Sequence, residues 1–315
     1  GVTVEIQKNT LTGGNEQMLK TSRRKITVFI LLFVLLLIIG GFLFFIKDNK
    51  SKKPEKKDYG VFLNADASSL ERFKEYDTIV IDAQYFTRKD IGILHENDVT
   101  VYTYLNIGSI ENFREYYADY EKLALGDYEH WEEEKWMDVS SPDWQKFIGS
   151  LARELYEKGV DGFFIDNCDV YYYATTASIF DGLTVILQDV MSLGKEVIIN
   201  GGDVYVTEYR ERYGTAKDIM TGVNQESVWS GIDFDKGTFY EQNKDDRDYF
   251  CEYVESCKAD GAEVYLLEYT TDSKLIQKIE EYCKKHDFRF YISDSLELEV
   301  IRDDRKRKND KWRVI

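Results

Sequence analysis

The stretch KGVDGFFIDNCDVYYY, residues 158–173, sets two carboxylates, an amide and three tyrosines directly behind an apolar run. Phe163, Phe164 and Ile165 deliver Asp166 and Asn167, and Cys168, Asp169 and the tyrosines follow. A second apolar run, IMTGVNQES, delivers Asn224 and Glu226. Two carboxylates facing one substrate are what glycoside hydrolysis requires. One is protonated and releases the leaving oxygen; the other is ionised and serves as nucleophile or as base for water. Differing surroundings push the two pKa values apart. Neither histidine nor lysine joins this set. His95, His130 and His286 are far apart, and Cys168, Cys251, Cys257 and Cys283 show no zinc-type spacing. No metal, other cofactor or disulfide framework is expected.

These groups need elements that aim them at one place. From residue 59, apolar β-prone runs alternate with helical ones. YGVFLNA, TIVIDAQ, VTVYTYLNIGS, VDGFFIDN, EVIINGG, IMTGVNQES, AEVYLLEYT and FRFYISDS read as strands. SSPDWQKFIGSLARELYEKG is a helix with Ser141 as cap, Pro142 at its first position and Gly159 as its stop. The strands are near-continuous apolar runs, as parallel strands covered on both faces should be. Eight repeats over about 240 residues fit an α/β fold of the (β/α)8 TIM-barrel type. A doubly wound sheet would want a glycine-rich turn after strand one, and LNADASS is not one.

In such barrels chemistry sits at the C-terminal strand ends. In chain order these carry Asn64 and Asp66; Asp82 and Gln84; Tyr104, Asn106 and Ser109; Asp166, Asn167 and Asp169; Asn200 and Asp203; Asn224 and Glu226; Glu268 and Tyr269; and Asp294. One such carboxylate is as readily a helix cap. A ring of them is harder to explain by capping. Tyr116, Tyr117, Tyr120, Trp131 and Trp136 follow strand three, Tyr171, Tyr172 and Tyr173 follow strand four, and Trp229 follows Glu226. Rings at a groove rim can stack on sugar faces, or can simply pack their own loops.

Residues 1–58 hold 11 Lys/Arg against 5 Asp/Glu, a balance of +6; the rest holds 30 against 53, a balance of −23. An acidic body repels nucleic acid and attracts a cationic polymer. Residues 26–46 carry 21 residues without a charge, enough to span a bilayer as a helix. No cleavage site or lipobox cysteine is visible, so this segment reads as an uncleaved signal anchor. The expected organisation is a cytoplasmic segment 1–25, an anchor 26–46, a charged linker 47–58, a barrel 59–300 outside the cell and a charged tail 301–315. Met18 opens MLKTSRRK, a normal start to a bacterial anchor, and residues 1–17 read as non-native sequence ahead of it.

VYTYLNIGSIENFREYY, KWMDVSSPDWQKFI, GVDGFFIDNCDVY and NQES, in this order, resemble glycoside hydrolase family 114, the endo-α-1,4-polygalactosaminidase type. That family is similar to the hydrolase domains of galactosamine-rich exopolysaccharide systems such as Pel. The resemblance spans roughly 59–296. It implies cleavage of α-1,4-linked galactosamine or N-acetylgalactosamine polymers, with retention and without metal. It implies Asp166 as nucleophile and Glu226 as acid/base. It implies substrate contacts from Asp82, Asn106, Asp169 and Glu268, the last standing where the family more often has aspartate. Tyr104, Ser109, Asn167, Tyr171, Asn200, Asn224 and Tyr269 complete the expected binding set. Expected partners are the cationic polysaccharide, the bacterial membrane and exopolysaccharide synthesis or export machinery. A barrel that binds exopolysaccharide at the cell surface without cleaving it is the alternative.

Overall fold

The computed structural model describes residues 55–129 and 131–299; the expected anchor, the segment before it and the tail 301–315 lie outside them. No helix among the described residues is long and apolar enough to cross a membrane. The chain divides into two units after Glu55, and the barrel belongs to the second.

The strands are β1 (Lys57–Phe62), β2 (Tyr76–Ile81), β3 (Thr100–Asn106), β4 (Ser109–Glu111), β5 (Ala124–Asp127), β6 (Glu134–Met137), β7 (Gly162–Asp166), β8 (Glu196–Asn200), β9 (Gly222–Glu226), β10 (Ser230–Asp233), β11 (Thr238–Glu241), β12 (Glu263–Tyr269) and β13 (Arg289–Ser293). The helices are α1 (Leu70–Phe73), α2 (Arg88–His95), α3 (Tyr117–Tyr120), α4 (Pro142–Glu157), α5 (Val170–Tyr173), α6 (Ala177–Met191), α7 (Asp203–Tyr213), α8 (Lys244–Ala259) and α9 (Ser273–His286). Eight strands form one parallel sheet in the order β1-β2-β3-β7-β8-β9-β12-β13. These are the eight strands expected from the sequence.

Among the described residues no ladder joins β13 to β1. Arg289 on β13 ties the two edges instead. Its guanidinium donates to the Asp58 carboxylate at 2.7 Å and to the Thr78 hydroxyl at 2.9 Å. Tyr59 packs on Tyr265 beside it, ring centroids 4.8 Å apart. Sheet and helices thus curl into a nearly closed (β/α)8 barrel.

Strand parity sorts every side chain. On β7, Phe163 and Ile165 join the layer between sheet and helices, while Phe164 joins the barrel interior with Tyr102, Tyr104, Ile198 and Leu267. Asp166 follows Phe164 by two and shares its inward face. Helix α4 shows how the outer layer is made. Trp144, Ile148, Leu151, Ala152 and Leu155 recur at helical spacing on its buried face. The Trp144 indole N–H donates to the Ile107 carbonyl at 2.8 Å, so this ring is both packed and satisfied. Truncating it to alanine would cost about 3–5 kcal/mol.

Two additions follow the C-terminal ends of barrel strands β3 and β9. The insert after β3 folds into an antiparallel sheet, β4-β6-β5, where the sequence read only an aromatic loop. The chain after β9 folds into the hairpin β10–β11, which was not foreseen. Gly108 begins the insert because a Cβ there would sit 1.7 Å from the Asn167 carbonyl oxygen.

Candidate active site

Three adjacent strands supply the centre. Asp166 ends β7, Asn200 ends β8 and Glu226 ends β9. The Asn200 side-chain nitrogen donates to Asp166 Oδ1 at 2.9 Å and to Glu226 Oε1 at 2.7 Å. Those two oxygens therefore lie no more than about 5.6 Å apart, the two bonds laid end to end. The second oxygen of each carboxylate meets a tyrosine. Tyr104 donates to Asp166 Oδ2 at 3.0 Å, and Tyr269 donates to Glu226 Oε2 at 2.8 Å. Each acid is thus held by half of one shared amide and by one phenol.

Burial raises the pKa of both carboxyls. Asp166 is pushed up to about 6, first by burial and then by the Glu226 charge. Glu226 is raised by burial against the hydrogen bonds from Asn200 and Tyr269. Two close buried carboxyls titrate as a pair, and the first proton to leave makes the second harder to remove.

A second network lies on the β3 side. Asn167 sits in the left-handed region at φ 66°, which turns its amide back under the site. That amide donates to Asn106 Oδ1 (3.1 Å), Ser109 Oγ (2.8 Å) and Glu134 Oε1 (3.1 Å). The Asn167 oxygen accepts from Tyr128 at 3.0 Å. The Ser109 hydroxyl also donates to Glu134 and accepts from the Asn106 amide, whose oxygen accepts from the Ser109 backbone N–H. Burial pushes Glu134 up to about 7, with the Ser109 hydrogen bond opposing it. Sequence reasoning missed Glu134 and Tyr128. EHWEEEKWM reads as a solvated acidic run, and the signal in it was the period-two pair Glu134 and Trp136.

Several expected contacts have other employment. Asp82 is buried, caps the turn after β2 through Gln84 N–H at 3.1 Å, and pairs with Arg114 at 2.7 Å. Arg114 also holds Glu111, at 2.9 Å. The Asp82 charge is spent inside the wall. Glu268 points to the helix side of the sheet, because its neighbours Leu267 and Tyr269 point inward. It is fully buried and accepts from the backbone N–H of Trp229 and Ser230 and from the Ser230 hydroxyl. It fixes the chain behind Glu226 from the helix side of the sheet. Asn224 has no exposed surface and donates to Asn200 Oδ1 at 2.7 Å, so it too stands behind the site. Half-buried Asp169 accepts from Gly202 N–H at 3.2 Å; burial, then the nearby Asp203, pushes it up to about 7.

Among the aromatics, Tyr171 is buried edge-on against Phe180 and Tyr205, its hydroxyl on Glu208 at 2.5 Å, and offers no sugar platform. Tyr116 and Tyr120 pack on Phe147, and Trp229 packs on Tyr282. The rings that remain form a rim. Tyr173, Trp136 and Tyr128 stack in a row, with centroids 5.5 and 4.1 Å apart. Exposed Trp131 meets exposed Phe234 edge-on at 6.4 Å. Phe234, Ile232, Asp233, Asp235 and Tyr240 line an open cavity of about 440 Å³ on the β10–β11 hairpin. Cys168 is a small buried filler beside Gly202, where an added Cβ would lie 2.8 Å from the Cys168 Cβ. No group of three or more His, Cys, Asp or Glu among the described residues is arranged to hold a metal ion.

The structure resembles the glycoside hydrolase domain of PelA from Pseudomonas aeruginosa, at TM-score 0.65 and 19% identity, over 78% of this chain and 96% of that one. It resembles Aspergillus fumigatus Ega3 in complex with galactosamine at TM-score 0.61 and 16% identity, over 79% and 95%. It also resembles an α-galactosidase from Thermus thermophilus at TM-score 0.52 and 8% identity, over 79% and 60%. At these identities the likeness is one of fold. No curated protein matches the chain. The model of glycoside-hydrolase family GH114 matches residues 45–313. The chain belongs to glycoside-hydrolase family GH114 and is a glycoside hydrolase.

Proposed function

We propose that this hydrolase cleaves α-1,4-linked galactosamine or N-acetylgalactosamine polysaccharide within the chain and with retention of configuration. The observation that carries the reading is the single Asn200 amide bonded to both Asp166 and Glu226. It keeps the two carboxylates at a spacing suited to attack on the anomeric carbon. About 5–5.5 Å goes with a nucleophile, whereas an interposed water wants ~6.5–9.5 Å. Asp166 is the nucleophile, its ionised form favoured by Tyr104 and Asn200. Glu226 is the acid that protonates the leaving oxygen and then the base that activates water.

Substrate class follows from charge. Asp166, Glu226, Glu134 and Asp169 gather around Tyr128, and Arg114, near Tyr104, is already held by Asp82 and Glu111. A sugar amine supplies the missing positive charge. The rim rings Trp131, Phe234 and Tyr240 offer stacking faces for further sugar units, which suits an endo-acting enzyme. The likeness in fold to PelA and to galactosamine-bound Ega3 supports this substrate. The apolar segment 26–46 anchors the enzyme in the cell membrane with the barrel outside, beside exopolysaccharide synthesis or export machinery.

Turnover of α-1,4-galactosamine oligomers by wild type, Asp166→Asn and Glu226→Gln tests this. Product from wild type alone is expected. Equal product from all three would remove the assignment. Binding without product from wild type would leave a polysaccharide-binding barrel. Binding to deacetylated polymer should weaken as salt rises, because charges on an open groove are screened.

A further inference from the structure

Asn200 has to present its NH2 end, not its oxygen, to two carboxylates. Both of its amide protons are used, one on Asp166 and one on Glu226. An ionised carboxylate only accepts hydrogen bonds, so a reversed amide would set its oxygen against ionised Asp166 and would lose both of the bonds it donates. Something must therefore hold the amide the right way round. The Asn200 oxygen accepts from the side-chain nitrogen of Asn224 at 2.7 Å. Asn224 stands directly beside Asn200 in the β8–β9 register and has no exposed surface, so it cannot touch a substrate. Its own oxygen is buried, with no hydrogen-bond partner among the described residues. Had Asn224 a merely structural task, a buried amide left half satisfied would be a costly choice over an apolar residue of the same size. Among the described hydrogen bonds, the one its side chain makes is the donation to Asn200.

We infer that Asn224 is a positioning residue: it fixes the polarity of the Asn200 amide and through it the protonation of Asp166 and Glu226. The relay runs Asn224 N–H to Asn200 oxygen, then Asn200 N–H to both acids. The other groups facing the pair are Tyr59 from β1, Tyr104 from β3, Tyr269 from β12, Glu134 and Tyr128 from the insert, and Cys168 and Asp169 after β7. Glu111 lies behind Tyr104 and is paired with Arg114. None of these reaches the Asn200 oxygen among the described hydrogen bonds. Without the Asn224 donor, Asn200 is free to turn, the bonds to the ionised acids weaken, and both acids hold their protons to higher pH. The inference concerns proton position, so it stands or falls apart from the choice of substrate.

The test is a carboxyl titration by ¹³C NMR on full-length protein labelled at aspartate side chains, with Asp166 assigned from its loss in Asp166→Asn. Asn200→Leu removes the direct donor and should raise the Asp166 midpoint by about one pH unit, the worth of one hydrogen bond to a charged group. Asn224→Leu should raise it by about half a unit or more. In the Asn200→Leu background, Asn224→Leu should add nothing, because the effect passes through Asn200. Asn224→Ala is the second route to the same loss if the leucine variant misfolds. A midpoint in Asn224→Leu or Asn224→Ala within about 0.2 units of wild type would overturn the relay. So would an equal shift that persists when Asn200 is already leucine.

Discussion

Asp166 and Glu268 each stand at the end of a barrel strand, the first half-buried and the second fully buried, and burial raises both pKa values, to about 6 and about 7. They differ in the side of the sheet they face. Asp166 shares the inward parity of Phe164 and meets Glu226 across a common amide. Glu268 has the opposite parity and ends on two backbone N–H groups and a serine hydroxyl. A raised carboxyl pKa is thus common to both a reacting acid and a structural one. What separates them is the face of the sheet and the exposure: Asp166 keeps some exposed surface at an inward strand end, and Glu268 has none.

The largest expected effect sharpens that contrast. Asp166→Asn and Glu226→Gln should each lower kcat by about 10³-fold or more, as loss of a reacting or proton-transferring group does. Glu268→Gln, measured on the same substrate, should lose about tenfold at most, through the chain behind Glu226. A loss at Glu268 as large as at Asp166 would break the comparison.

Next comes stability against pH. The folded-state pKa of Glu268 lies above its unfolded value near 4.5. Its contribution is therefore fully present below about pH 4.5 and is lost as pH rises through about 7. A shift of this size is worth on the order of 3 kcal/mol. Asp169 and Glu134, both pushed to about 7, act in the same direction. Thermal unfolding should show Tm falling from pH 5 to pH 8, with a shallower fall in Glu268→Gln. A wild-type Tm that rises over that window would contradict it.

Activity carries its own pH signature. The nucleophile must be ionised, so the acid limb of kcat/KM should fall at about pH 6, where Asp166 takes up its proton, and not near 4. The two phenol clamps come next in size. Tyr104→Phe and Tyr269→Phe each remove one bond to a carboxylate, and each should slow turnover by about tenfold. The smallest effect belongs to the rim. Trp131→Ala should weaken binding of long oligomers and leave short ones unchanged, while Tyr172→Ala, whose ring is 73% exposed, should change neither.

The eight strands were legible because each is an apolar run ended by polar residues, and Asp166, Asn200, Glu226, Tyr104 and Tyr269 were legible as those ends. Parity was legible too, but only when counted from a known inward residue. Glu268 was misplaced as a substrate contact because the stretch AEVYLLEYT is apolar on both faces and shows no alternation to count from. Asp82 was misplaced because its partner Arg114 arrives from the insert, 32 residues on, through tertiary packing alone. Glu134 was hidden for the reverse reason. Its strand is four residues long, and the acidic residues beside it face solvent. Tyr171 shows that a run of three tyrosines on a short helix sends one ring inward and leaves the other two outside.

The spacing enforced by Asn200 is the central claim, and the anomer of the first-formed product tests it most directly. ¹H NMR of wild-type enzyme acting on an α-1,4-galactosamine oligomer should show the α-anomer first, with the β-anomer appearing only by later mutarotation. A β-anomer formed first would mean that water attacks directly, and would contradict a nucleophilic Asp166 whose Oδ1 lies within about 5.6 Å of Glu226 Oε1.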